Sequence, residues 1–495
     1  MNNPNSNYID RRQDGQNPSR YTGLVRPLAL ATVLALSACA GLPPADPAPK
    51  LAQPAAGDFV KAPVASPWPV NQWWADFHDE QLNSLIEQAL RNSPSMAVAQ
   101  ARIVQANAQA QVATANTGAK LTASADVTRE RYSGNSIYPP PIGGSTLNSG
   151  DLGLNFSYDF DFWGRNRSLI QSALGQVAAA QAESAGASST LSAAVASTYF
   201  QWQLVNARLS LQDDVQSQRN RLIELEAPRV KSGLSAGELV APLQADAALP
   251  RLTRVQLETQ RDQLYYQLKS LVGGAQFPEH LAAKPLPNAD MGVPSNLPLD
   301  LVARRADVAA SRERVKAALH GVDASRAAFY PDFNLSAVAG FSAFGLGNVL
   351  KASSANIGIT PALSLPIFDA GRLRAGLDSS RADVTLAIAQ YDQSVQTAVS
   401  DVNDAFVQLQ GAQREQATLA QQVTARQRDL DSAQRRQHAG LADGREAVRD
   451  RLALLTLDDQ ELAREGRAVN ARIALIKALG GGYQDPAVED GLGKK

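Results

Sequence analysis

Cys39 is set apart by type alone, because it is the only cysteine in this 495-residue chain. A single thiol cannot close an intramolecular disulfide, so its chemistry is that of a nucleophile or an acyl acceptor. It ends the stretch Leu36-Ser37-Ala38-Cys39, directly behind an apolar run, Pro27 to Leu36, which Arg20 and Arg26 precede. Other chemistry-bearing residues are thinly spread. The four histidines, His78, His280, His320 and His438, are scattered, and no two have metal-ligand spacing on one helix face. There is no phosphate-binding Gly-x-x-x-x-Gly-Lys loop, no His-Glu-x-x-His pair and no cysteine cluster. Gly345-Leu346-Gly347 falls between two candidate strands and reads as a flexible connection. The residues therefore point away from an enzyme, and no cofactor or metal is expected.

The apolar run before Cys39 is too short to cross a bilayer as a mature helix, which needs about 20 residues. Its length and basic flank are those of a signal-peptide core. Leu36-Ser37-Ala38-Cys39 resembles the bacterial lipobox, which implies cleavage after residue 38 and a lipid-anchored Cys39. Ala40 rather than Asp follows the cysteine. By resemblance to lipoprotein sorting, that permits delivery to the outer membrane. Residues 39–72 are rich in Pro and Ala without periodicity, and are expected to form an extended tether.

Composition narrows the partners. Lys and Arg number 47 against 48 Asp and Glu, so there is no basic surface for nucleic acid. Aromatics make up only 6% of residues, while Ala, Gln and Ser abound, which suits closely packed helices. The chain is also too long for one ordinary core.

Two halves repeat. Gly164-Arg165 matches Gly371-Arg372, Val195 matches Val402, and Tyr199 matches Phe406. Gly233-Leu234 matches Gly440-Leu441, and Gly273-Gly274 matches Gly480-Gly481. Every pair is 207 residues apart, so two copies of one structural unit are expected, at 73–274 and 297–482. Residues 275–296 read as a linker and 483–495 as a tail. Within each copy a proline-poor span predicts a helix of about 100 Å. Leu204, Leu211, Val215 and Leu222 form a coiled-coil-type seam, as do Leu455, Leu462, Val469, Ile473 and Ile476. Short Gly-containing loops, about 231–237 and 438–444, predict the tips of two helical hairpins. Pro242 and Pro250 predict a kink or a late start in the first return helix.

Four alternating segments lie between the helices, at about 121–131, 151–162, 333–342 and 357–367. Leu152, Leu154, Phe156, Tyr158 and Phe160 interleave with Gly153, Asn155, Ser157 and Asp159. Such a pattern suits a transmembrane β-strand with one face to lipid and one to a lumen. A half-buried soluble sheet alternates equally well, but the export signal and Gly/Ser/Pro-rich connections favour the membrane. Four strands cannot close a barrel, and an open edge in lipid leaves backbone groups unpaired. Three chains would supply twelve strands, so a homotrimer is expected.

At this point a family resemblance is legible. Trp73-Trp74-Ala75-Asp76-Phe77, with Leu82, Leu85-Ile86, Ala89-Leu90 and Asn92, resembles the opening helix of the TolC-like outer membrane factors. Leu297-Pro298-Leu299-Asp300-Leu301-Val302-Ala303-Arg304-Arg305-Ala306-Asp307 resembles a signature preceding their third strand. Pro331, Leu335-Ser336-Ala337 and Gly340 extend the likeness, which is closest to the lipidated NodT-type proteins. The resemblance implies an α+β membrane protein: a trimeric channel with a 12-stranded β-barrel and a long α-helical periplasmic barrel. It implies the exit duct of a tripartite efflux system, joined to an inner-membrane pump by a periplasmic adaptor that contacts Gly233, Leu234, Gly440 and Leu441. A type I protein-secretion duct or a non-conducting envelope tether are the alternatives. It further implies an acidic aperture just after the second tip, where this chain offers Asp443 and Glu446. Arg449, three residues beyond Glu446, could pair with it and hold the helices shut.

Overall fold

The computed structural model describes residues 46–60, 67–274, 277–292, 294, 301 and 304–485. Cys39 and the expected export signal lie outside the described residues, as does most of the 295–303 stretch. The chain divides into two compact units. One contains residues 117–167 and 322–380; the other contains 49–116, 168–321 and the chain from 381 onward.

In chain order the helical unit opens with α1 (Glu80–Asn92) and α2 (Pro94–Asn116). Asp79 caps α1 by accepting from the Gln81 and Leu82 amides at 3.0 and 3.4 Å. Leu82, Leu85, Ile86 and Ala89 follow the i, i+3, i+4, i+7 spacing and are all buried. Pro94 begins α2, where its missing N–H costs nothing.

The two long helices are α3 (Arg165–Lys231) and α7 (Arg372–His438), each 67 residues. Both start behind an aspartate. Asp161 accepts from the amides of Asn166 and Arg167 at 3.0 and 2.8 Å, and Asp369 from Gly371 and Leu373 at 3.1 and 2.9 Å. The first return is broken into α4 (Val240–Asp246) and α5 (Leu249–Val272). Pro250 sits in the first turn of α5, where a proline fits; further in, it would remove a bond and strike the preceding turn. The second return lacks proline and runs unbroken as α8 (Arg445–Ala478). Between the copies, α6 spans Ala306–Ala327.

The core of this unit joins both copies. Tyr199 and its repeat partner Phe406 are both buried in it, with Val195, Phe200, Val402, Leu409, Val469 and Ile476. In the seam, Leu211, Leu222, Leu455, Val469, Ile473 and Ile476 are buried, while Leu204, Val215 and Leu462 are half-buried. Elsewhere small residues set the spacing. Ala179 and Ala182 of α3 pack on Ala309 and Ala310 of α6.

Along the part described, the segment expected to form an extended tether is bonded to the helical unit. The Ala52 amide donates to Asp392 Oδ1 and the Val60 amide to Asn403 Oδ1, each at 3.0 Å, on one helix, α7. Leu51, Phe59, Val60 and Trp68 pack against the core. A Pro/Ala-rich sequence lacks periodicity because an extended chain laid on a helix needs none.

The other unit is a four-stranded antiparallel meander in the order β1 (Lys120–Arg131), β2 (Thr146–Phe160), β3 (Asp332–Phe344) and β4 (Ala355–Ser364). Strand β2 starts five residues before the alternation that announces it, because Thr146–Gly150 pair with Arg131–Val127 without an apolar pattern. Strand β4 stops at Ser364, short of the expected 367, since Pro366 has no amide for a ladder. Among the described residues no helix is long and apolar enough to cross a membrane.

Candidate functional site

Two features are candidates for function: the hairpin tips in the helical unit and the faces of the sheet in the other. Each tip is built from the same hydrogen bonds. The Leu234 amide donates to the Arg229 carbonyl at 2.8 Å and the Gly233 amide to Val230 at 3.0 Å; Leu441 and Gly440 bond Arg436 and Gln437 at the same distances. This is a Schellman cap, whose turning residue adopts positive φ. Gly233 and Gly440 stand at φ +71° and +69°. Nothing lies within 4 Å of a Cβ added at either, so conformation alone, not space, requires glycine there. A Schellman cap often tucks the next side chain against its helix. Here Leu234 and Leu441 are 67% and 78% exposed instead, leaving each tip an unpartnered apolar knob.

A charge cluster joins the tips. Asp443 Oδ2 lies 3.0 Å from Arg229 Nη1 and 2.9 Å from Arg445 Nη2. Arg445 Nη1 reaches the buried Glu226 at 2.7 Å, and Arg229 Nε donates to Ser235 Oγ at 3.3 Å. The Ser235 hydroxyl and the Arg445 guanidinium hold the Glu226 carboxyl below its ordinary range. Arg445 does the same for Asp443. The expected Glu446–Arg449 pair is not formed: Arg436 on α7 reaches across to Glu446, and Arg449 is exposed. Asp443 therefore belongs to a mixed-charge clamp within the chain. Glu226, Arg229 and Arg436 gave no sequence signal beyond lying in the last turns of two long helices, Arg229 and Arg436 being 207 residues apart.

Residues 233–237 also spell Gly-x-Ser-x-Gly. A nucleophile elbow needs a strand-to-helix turn and an adjacent base. This pentapeptide joins helix to helix, and its serine hydroxyl meets Arg229 and Glu226.

Another polar centre locks the connector between the copies. Tyr199 donates to Asp79 Oδ2, and Lys284 Nζ to Asp79 Oδ1, both at 2.7 Å. Gln203 Nε2 donates to the Ala282 carbonyl at 2.9 Å, and Gln203 Oε1 accepts from the Lys284 amide at 2.8 Å. Burial works to raise the Asp79 pKa, but the bonds from Lys284 and Tyr199 outweigh it and keep the carboxyl low. Burial and the Asp79 bond push the Tyr199 hydroxyl up, so it stays a donor. The cluster is a clamp between α1, α3 and the connector. Among the described residues no group of three or more His, Cys, Asp or Glu could hold a metal.

The sheet is apolar on one face and polar on the other, in register across all four strands. Leu154 stands opposite Ala123 and Ala339, which faces Ile357; Phe156 stands opposite Leu121 and Ala337, which faces Ile359. The other face carries Thr122, Asn155, Val338 and Gly358, and Ser157, Ser336 and Thr360. Tyr158, Phe160, Phe162 and Phe333 stack or meet edge-on at one end of the apolar band. Such a band with an aromatic margin is the surface a strand presents to lipid.

Comparison with known proteins bears on the family and the fold. The family model for outer membrane efflux proteins matches residues 85–274 and 297–481, the two repeats. Multidrug resistance outer membrane protein MdtQ of Escherichia coli O6:H1 is 33% identical over 462 residues, covering 91% of this chain and 97% of that protein. MdtP of Escherichia coli strain K12, also a multidrug resistance outer membrane protein, is 32% identical over 86% of this chain and 89% of its own. The crystal structure of the outer membrane protein VceC from Vibrio cholerae superposes with a TM-score of 0.74 at 32% identity, covering 84% of this chain and 100% of VceC. The two-copy repeat, the two-faced sheet and these matches establish that the chain belongs to the outer membrane efflux protein family.

Proposed function

We propose that three copies of this chain form the outer-membrane exit duct of a tripartite efflux system for small toxic compounds. The chain is a channel component and not an enzyme. The observation that carries this is the sheet: its apolar face is continuous across four strands, its opposite face is polar, and its edge strands β1 and β4 have no partner among the described residues. Three such sheets joined edge to edge would give a twelve-stranded barrel with no open edge in lipid. The helices would then stand in the periplasm, with Cys39 lipidated as an additional anchor.

Energy would come from an inner-membrane pump, reached through a periplasmic adaptor docked on the Gly233-Leu234 and Gly440-Leu441 tips. The exposed leucines there are the apolar knobs such a partner would cover. The clamp of Asp443 with Arg229 and Arg445 would keep the hairpins together until docking. Glu446 would contribute through Arg436, and Arg449 would be free to face the aperture.

Purified protein in a planar bilayer is expected to conduct ions, and a strain lacking it to become sensitive to toxic compounds. A Leu234→Asp, Leu441→Asp variant should still assemble and conduct but restore no resistance. Full resistance from that variant would remove the tips from adaptor docking. Absence of conductance in the purified trimer would leave a structural tether as the better reading.

A further inference from the structure

We propose that the hairpin rim of the sheet binds the phosphate of an outer-leaflet lipid headgroup, with the loop between β3 and β4 as its apolar foot. This rests on the outer-membrane reading above, which takes the rim of hairpin loops as the outer one.

The loop, residues 345–354, is folded back onto the lipid-side face. The Gly345 amide donates to the Asn148 carbonyl of β2 at 2.7 Å. Leu346 and Val349 cover Gly150, which alone among the strand residues is buried. A Cβ there would lie 2.7 Å from Val349 Cγ2 and 3.1 Å from Leu346 Cδ2, so the loop seats only on a glycine. Its shape is held internally: Lys351 Nζ donates to Asn348 Oδ1 at 2.6 Å and Ser354 Oγ to the Asn348 carbonyl at 2.8 Å. Seated this way it presents Leu350, 77% exposed, and Leu346, 51% exposed, beside the apolar band.

The charge at this level is one-sided. Alternation along β1 puts Arg129 and Arg131 on the same face as Leu121, Ala123, Ala125 and Val127. Arg129 stands opposite Asn148, the residue that receives the loop's first bond, and Arg131 opposite Thr146. Lys351 belongs to the seated loop. Asp126, Glu130 and Asp151 have the opposite parity and face the lumen. Arg129, Arg131 and Lys351 are all exposed, and none is in an ion pair among the described residues. Basic side chains just above an apolar band lie at headgroup height, and a guanidinium fork matches a phosphate. Leucines beneath them would enter the edge of the hydrocarbon, as in an interfacial anchor. A lipid supplies both chemistries at that spacing, whereas a free phosphate would not engage the leucines.

The test uses the full-length protein in detergent. Thermal melting and native mass spectrometry follow its response to a diphosphorylated glycolipid (lipid A), to the same lipid dephosphorylated, and to inorganic phosphate. The diphosphorylated lipid is expected to be retained and to raise the Tm. Each charge removed should weaken retention about fivefold. Retention should therefore vanish in R129Q/R131Q/K351Q and persist in R129K/R131K. Gly150→Val, which unseats the loop without removing charge, should also weaken it. Equal retention by the triple variant and the unmodified chain would overturn the proposal. So would an equal Tm rise from dephosphorylated lipid or from inorganic phosphate. Conductance measured on the same samples separates the two ideas: a non-conducting unmodified protein refutes the duct, whatever the lipid result.

Discussion

At the scale of single residues, the tip clamp has a calculable dependence on pH. The Glu226 and Asp443 pKa values are both depressed, the first by Ser235 and Arg445 and the second chiefly by Arg445. A depressed carboxylate pKa means stabilisation that is present above the ordinary pKa, about 4, and lost as pH falls through the lower folded value. The clamp should therefore hold across the neutral range and fail only in acid below about pH 4. Arg445 is the shared member, so Arg445→Gln removes both of its bonds at once. Single-channel conductance of that variant at neutral pH is expected to match what the unmodified protein reaches only in acid. A variant with unchanged conductance at both pH values would take the clamp out of gating. Asp443 was singled out only because the family resemblance implies an acidic aperture just after the second tip. Its partners Arg229 and Glu226 were not, because which charges meet depends on how two antiparallel helices align near the tips, more than 200 residues apart in the chain.

At the scale of elements, close approach of helices is set by residues that have almost no side chain. Gly175 of α3 faces α6, and a Cβ there would lie 2.9 Å from the Ala317 Cβ and 3.3 Å from the Glu313 carbonyl oxygen. Neither neighbour can yield without moving its helix. Gly175→Leu is expected to cost about 1–3 kcal/mol, read as a lowered Tm. Gly411 of α7 has nothing within 4 Å of an added Cβ, so Gly411→Ala should be neutral or gain up to about 1 kcal/mol of helix propensity. A Gly175 variant as stable as its parent would mean that α3 and α6 are not in register as described. The elements themselves were largely legible. Proline-poor spans announced both long helices, glycine loops the tips between them, and Pro250 the break in the first return helix. The first turns of β2 escaped because Asn148 and Gly150 lack the apolar alternation that announces a strand, although they pair like the rest. The docking of the tether escaped for a related reason. Its docking uses backbone amides of Ala52 and Val60, which any sequence possesses.

At the scale of the whole molecule, the duct depends on which face of the sheet meets lipid, and substitutions at adjacent positions of β2 separate the two faces. Leu154 lies on the apolar face between Ala123 and Ala339. Asn155, the next residue, lies on the polar face, where its Nδ2 donates to Ser124 Oγ at 3.3 Å. An arginine directed into lipid near mid-membrane costs about 2–4 kcal/mol. A trimer would carry that cost three times, so Leu154→Arg should sharply reduce the yield of assembled, heat-modifiable trimer in membranes. Asn155→Arg places the same charge in a wet lumen, where assembly should be kept and ion selectivity should shift toward anions. Both variants add the same side chain to the same strand, so a general loss of strand propensity would affect them alike. If Asn155→Arg abolished assembly while Leu154→Arg was tolerated, the faces would be reversed. If both assembled with unaltered selectivity, the sheet would not be lining a pore.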